Sequence, residues 1–301
     1  MSIILISIFF AISVVTIASA VEKEPTNFVE GVKFDAEFYA PQDEAKNSAA
    51  LVLGGSEGGI PSRQAQILAK AGFPALALGY FKTSHTPEYL DMIPLEYFDE
   101  AIKWLETNPD TQGRKLVVVG SSKGGELALL LASRNTQIRG VVAFVPGSVV
   151  FQGIPKVFWP PQSSWSYKGK PLSFVPYDFN QEAEQRNPFE IYRRSLKQQD
   201  AVKQAEIPVE RINGPILLFS GESDAMWPST EMCAIIIQRL KEKGFRHKYE
   251  HIKYENAGHT LTEYFMMGGT EEGNKKARID STRRMLEFLT EISDKQMLKN
   301  D

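Results

Sequence analysis

The chain has 301 residues, 43% of them hydrophobic and 24% charged, and a formal net charge of −3. That length and composition suit one large globular unit, a size α/β folds commonly reach. The weak negative balance argues against the basic face that a nucleic acid or an anionic membrane surface would require.

Residues 1–20 are an apolar run that closes on Ala18-Ser-Ala20. Small residues there suit a signal peptidase, so this segment is expected to be a signal peptide. The mature chain, residues 21–301, is expected to be exported to a periplasm or secreted, with retention on the uncleaved segment as the alternative. No later stretch reaches the roughly 20 apolar residues of a membrane-spanning helix.

From residue 32 onward, strand-like and helix-like stretches alternate, the pattern of a mainly parallel sheet covered by helices. Residues 32–39 and 49–53 read as strands, 61–71 as a helix stopped by Gly72, and 73–78 as a strand. Residues 94–107 form an amphipathic helix carrying Leu95, Phe98, Ile102, Trp104 and Leu105. The apolar stretch 116–119 has the character of a strand buried on both faces, and 126–133 is the helix behind it. Residues 141–145, 216–220 and 249–254 complete the strands, and helices follow at about 229–243 and 275–292. Cys233, the single cysteine, excludes an intrachain disulfide and is expected as a buried thiol on the first of these two helices.

Between residues 147 and 208 the alternation stops in a stretch rich in Pro, Trp, Tyr and Phe. Structureless loops beyond about 12–15 residues are uncommon unless they have a function. Residues 148–206 are therefore expected to form a cap whose rings, Phe158, Trp159, Trp165 and Tyr167 among them, select the substrate.

The chemistry centres on Gly120-Ser-Ser122-Lys-Gly124. This is G-x-S-x-G between an apolar strand and a helix, a strained turn that lifts a nucleophile above the sheet edge, and it points to an α/β-hydrolase fold. Ser122 is the expected nucleophile and Ser121 packs the turn. The backbone amide of Lys123 is an expected oxyanion donor, whereas its ammonium is expected in solvent.

A serine hydroxyl needs a base. Of His85, His247, His251 and His259, only His259, in Asn256-Ala-Gly-His259, follows the last strand in the Ser…Asp…His order of the fold. The acid that orients it should follow the strand at 216–220, where Asp224 is the first choice and Glu222 the reserve. The glycine-rich loop Leu53-Gly-Gly-Ser56-Glu57-Gly-Gly should supply the second oxyanion amide, from Ser56 or Glu57. It does not spell G-x-G-x-x-G, so no dinucleotide cofactor is expected. Four scattered histidines and one cysteine suggest no metal site.

Five segments together resemble a known family: Leu53–Pro61 with Ala77-Leu-Gly-Tyr-Phe81, Gly120-Ser-Ser-Lys-Gly-Gly-Glu-Leu-Ala, Trp165-Ser-Tyr-Lys-Gly-Lys-Pro-Leu, Ile207-Pro-Val-Glu-Arg-Ile-Asn-Gly-Pro-Ile, and Asn256-Ala-Gly-His. They are similar to the C-terminal domain shared by acyl-CoA thioesterases and bile acid-CoA:amino acid N-acyltransferases. The resemblance implies a Ser122–Asp224–His259 triad and a small-molecule acyl ester or thioester as substrate. Acyl transfer to an amine or alcohol, and a non-catalytic binding protein on the same scaffold, are the two alternative functions.

Overall fold

The computed structural model describes residues 28–179 and 187–294, so the expected signal peptide lies outside the described residues. In chain order the elements begin with β1 (Asp35–Tyr39), β2 (Ser48–Leu53), α1 (Ser62–Lys70), β3 (Ala75–Gly79), β4 (Ile93–Pro94) and α2 (Leu95–Thr107). Next come β5 (Lys115–Ser121), α3 (Lys123–Arg134), β6 (Ile138–Phe144), β7 (Trp165–Tyr167), β8 (Lys170–Pro171), α4 (Pro188–Ser195) and α5 (Gln199–Ala205). The last are β9 (Ile216–Gly221), α6 (Ser229–Glu242), β10 (Tyr249–Tyr254) and α7 (Glu271–Asp294).

Seven strands form one sheet in the order β1-β3-β2-β5-β6-β9-β10. Only β1 runs antiparallel to its neighbour. Parallel pairing needs crossover connections, and these put helices on both faces. Phe98 of α2, Leu127 of α3 and Ile236 of α6 pack one face; Leu68 of α1 and Met285 and Leu289 of α7 pack the other. With both faces covered, β2 is buried throughout, which is why residues 49–53 read as an unbroken apolar run. Cys233 is buried on α6, where loss of solvent pushes its thiol above the ordinary range.

Two sequence expectations change. The strand read from residue 32 starts at Asp35, because Gly31 takes a positive φ of 74° and doubles the chain back, bridging Phe28 to Glu37. Residues 147–208 are not simply irregular. They contain the short helices α4 and α5 and, with β4, a three-stranded sheet β4-β7-β8. The start of α4 carries a local signal, since the Asn187 side chain caps the Phe189 amide and Pro188 fills the first helical position. This stretch has its own apolar cluster of Val149, Phe151, Val175 and Tyr192, joined by Trp227 and Met232 from the chain after β9.

Candidate active site

β5 runs straight into Ser122, whose φ of 55° and ψ of −118° lie where non-glycine residues are rare. The strain is held from both sides. The Ser122 amide donates to Phe144 O on β6 at 2.9 Å, and the Ser122 carbonyl accepts from the Glu126 amide as α3 begins. The flanking glycines follow from close backbone approach. A Cβ on Gly120 would stand 2.0 Å from Gly124 O, and one on Gly124 would stand 2.2 Å from Gly54 O.

Ser122 Oγ lies 2.8 Å from His259 Nε2, and His259 Nδ1 lies 2.9 Å from Asp224 Oδ2. All three residues are buried. A carboxylate can only accept, so Nδ1 carries the imidazole proton and Nε2 is left to accept the serine proton. Asp224 is fully engaged: Oδ1 accepts the Met226 and Trp227 amides at 2.8 and 3.1 Å, and Oδ2 also accepts Ser229 Oγ at 2.6 Å. Glu222 instead faces outward, 3.2 Å from Lys253 Nζ.

The histidine loop is fixed by a residue sequence reasoning missed. Asn274, buried in the first turn of α7, accepts the Gly258 amide at 2.9 Å and donates to Gly268 O and Thr270 O. The His259 amide donates to Met267 O, and the Trp227 ring stands edge-on to the imidazole at 5.6 Å. Ser229 was missed as well. Its only advance signal is its place at the start of a helix just past the acid loop.

Two of the other histidines have different work. His85 pairs with Asp35 at 2.8 Å, with its own ring largely in solvent. His251 Nε2 meets Ser220 Oγ at 2.8 Å on the neighbouring strand. Burial, helped by the Lys253 charge, holds it down to about 4, so it is neutral near pH 7.

Lys123 corrects an expectation. Its ammonium is not in solvent: Nζ donates to both oxygens of Glu126 at 2.7 Å, and the two side chains are 1% and 0% exposed. Trp165 Nε1 donates to the same carboxylate at 2.8 Å, and the Trp165 and Phe151 rings face the ammonium at 5.5 and 6.0 Å. Phe151 and Trp165 thus cover the ammonium, which is buried. Burial pushes the Lys123 ammonium down and the Glu126 carboxyl up, and each charge partly opposes the shift of the other.

The glycine-rich loop passes beside the serine, since a Cβ on Gly55 would stand 3.1 Å from Ser122 Cβ. Its turn closes with the Gly58 amide on Gly55 O, a bond that uses neither the Ser56 nor the Glu57 amide. Tyr80 Oη anchors Gly54 O at 2.6 Å, and the Glu57 carboxylate folds back onto the Gly55 amide at 2.9 Å.

The four rings assigned to substrate selection do not share a pocket, a second correction. Trp165 has no exposed surface and packs in the main core against Tyr80 and Phe98. Tyr167 lies under the Arg134 guanidinium at 4.6 Å. Phe158 packs on Tyr177 and Phe179, while Trp159 is 80% exposed. Aromatic richness marked the stretch without telling which way each ring faces. Among the described residues, no group of three or more His, Cys, Asp or Glu is placed to hold a metal ion.

Among solved structures, a thermophilic esterase from the Planctomycetes species Thermogutta terrifontis superposes with a TM-score of 0.54 at 18% identity, covering 88% of this chain and 91% of that one. A dienelactone-hydrolase-like promiscuous phosphotriesterase from metagenomic libraries superposes with a TM-score of 0.52 at 14% identity, covering 89% and 96%. These likenesses identify the α/β-hydrolase fold. In sequence, the chain is 30% identical to acyl-coenzyme A thioesterase 1 of Mus musculus over 226 residues, 75% of this chain and 51% of that protein. It is 28% identical to the mitochondrial acyl-coenzyme A thioesterase 2 of Mus musculus, over 84% of this chain and 57% of that protein. The chain thus spans a little over half the length of these relatives. Residues 93–266, more than half of the chain, match the family model described as BAAT / acyl-CoA thioester hydrolase C terminal, and to that family the chain belongs.

Proposed function

We propose that the protein hydrolyses carboxylic thioesters or esters through an acyl-serine at Ser122. The observation that carries this is the buried Ser122–His259–Asp224 chain, with contacts of 2.8 and 2.9 Å. Ser122 Oγ attacks the acyl carbonyl carbon while His259 Nε2 takes the hydroxyl proton. The amides of Lys123 and of Ser56 or Glu57 hold the tetrahedral oxyanion. Collapse breaks the C–S or C–O bond, and His259 returns the proton to the departing thiolate or alkoxide. In the second half a water gives its proton to His259 as it adds to the acyl carbon; the bond from that carbon to Ser122 Oγ then breaks, His259 returns the proton to Oγ, and the free acid leaves. The likeness to proteins named acyl-coenzyme A thioesterases favours a thioester as the natural bond.

The test combines graded p-nitrophenyl esters and acyl-CoA thioesters with a fluorophosphonate probe. Free acid should form, and its yield should not change when millimolar glycine or taurine is added as an acceptor. Amide product would reassign the protein to acyl transfer. Absence of both turnover and labelling would leave a binding protein. The export reading of residues 1–20 accompanies this proposal, and intact-mass analysis should find a chain beginning near Val21; a cytoplasmic protein retaining Met1 would overturn it.

A further inference from the structure

A cavity of about 740 Å³ lies against the sheet between α1 and α7, on the face away from α3 and the 147–208 stretch. Small-molecule sites commonly measure about 300–1,000 Å³ and are mostly apolar with a few polar groups. The walls here are Val52, Ile60, Ile67, Val119, Phe144 and Leu261. The cavity also touches Gly54 and Glu57 of the glycine-rich loop and Ser121, the residue before the serine. Leu261, two positions after His259, closes another side. Part of the wall thus comes from the loops next to Ser122 and His259, and the rest from β2, β5, β6, α1 and α7. The rim is polar: Arg278 pairs with Glu263 at 2.7 Å, and Arg278 and Arg63 lie on the Tyr264 ring at 5.2 and 4.8 Å.

We infer that this cavity, not the aromatic stretch at 158–167, receives the acyl chain of the substrate. The inference rests on the hydrolase reading above. An acyl group on Ser122 leaves its carbonyl between the Lys123 amide and the glycine-rich loop. A long tail has apolar walls available on the α1/α7 side, whereas Trp165 is sealed in the core and Trp159 stands in solvent. A short acyl group ends before the cavity and gains nothing from it. Each methylene that enters should strengthen binding about fourfold.

The test fills the cavity from either wall, with Ile67→Trp on α1 and Thr282→Phe on α7, so that one misfolded variant does not end it; thermal melts report folding. The readouts are kcat/KM for C2, C4, C8 and C12 esters, and calorimetric binding of dodecanoate to the Ser122→Ala protein with and without each substitution. The filled variants should lower the C12-to-C2 ratio at least tenfold and weaken dodecanoate binding to match. Trp159→Ala should leave the ratio where it was. A C12-to-C2 ratio and dodecanoate affinity untouched by a folded filled variant would overturn the inference, as would collapse of the ratio in Trp159→Ala. Should the wild type cleave no ester while dodecanoate still binds and Ile67→Trp abolishes that binding, the hydrolase reading fails and the cavity assignment stands.

Discussion

Ser122→Ala is expected to abolish fluorophosphonate labelling and to cut turnover on the order of 10⁶-fold, the loss seen when a serine protease loses its nucleophile. Asp224→Asn is expected to cost about 10⁴-fold, the size of the corresponding loss in such enzymes. The geometry explains the second loss. Asp224 Oδ1 accepts two amides, from Met226 and Trp227, so the asparagine oxygen must stay there. Its NH₂ then faces His259 Nδ1, which can accept that donor only by giving up its own proton. The proton moves to Nε2, and the ring can no longer take one from Ser122. Both variants should fold, with melting temperatures within a few degrees of the parent. Near-normal turnover in a folded Ser122→Ala protein would sink the assignment.

The second large effect falls on stability. Lys123→Met is expected to destabilise the protein by about 3–5 kcal/mol, because it leaves the Glu126 carboxylate buried without its cation. Lys123→Met/Glu126→Leu should recover most of that, since apolar replacement of a buried pair is often neutral. The single variant should also acquire a pH dependence. Burial already pushes the Glu126 carboxyl up, and removing Lys123 takes away its strongest opposition. A carboxyl with a folded pKa above its unfolded one adds stability at low pH and loses it as pH rises through the folded value. The defect should therefore be smaller at pH 5 than at pH 8. Urea denaturation of both variants at the two pH values measures it, and an unaltered Lys123→Met stability would show that the pair contributes nothing.

Local signals carried most of the framework. The β5 strand, the Gly120–Gly124 motif and α3 follow one another within a short window, where the chemistry of a strained turn is written in adjacent residues. The acid loop follows the equally local apolar run of β9, and the base loop follows β10 in the chain order of the fold. What escaped sequence reasoning depends on distant segments meeting. Lys123 looks like a surface lysine at the start of a helix until Trp165 and Phe151 close over it. Ser229 and Asn274 are ordinary polar residues near helix starts, and only the folded chain shows that one steadies the acid and the other the base loop. Trp165 and Trp159 are six positions apart in the same aromatic stretch, yet one is core and the other is in water.

Asn274 also bears on what counts as the smallest working piece of this molecule. The three residues of the hydrogen-bonded chain all precede α7, and a fragment ending at Thr270 would contain every one of them. It would lack the side chain that takes the Gly258 amide and gathers the carbonyls of Gly268 and Thr270. The glycine-rich loop beside Ser122 sets a matching limit near the other end, since Gly54 and Gly55 pack against the turn itself. A truncation or a transplant into another scaffold therefore has to carry the chain from β2 through the first turns of α7, or it moves the reactive groups without the parts that aim them.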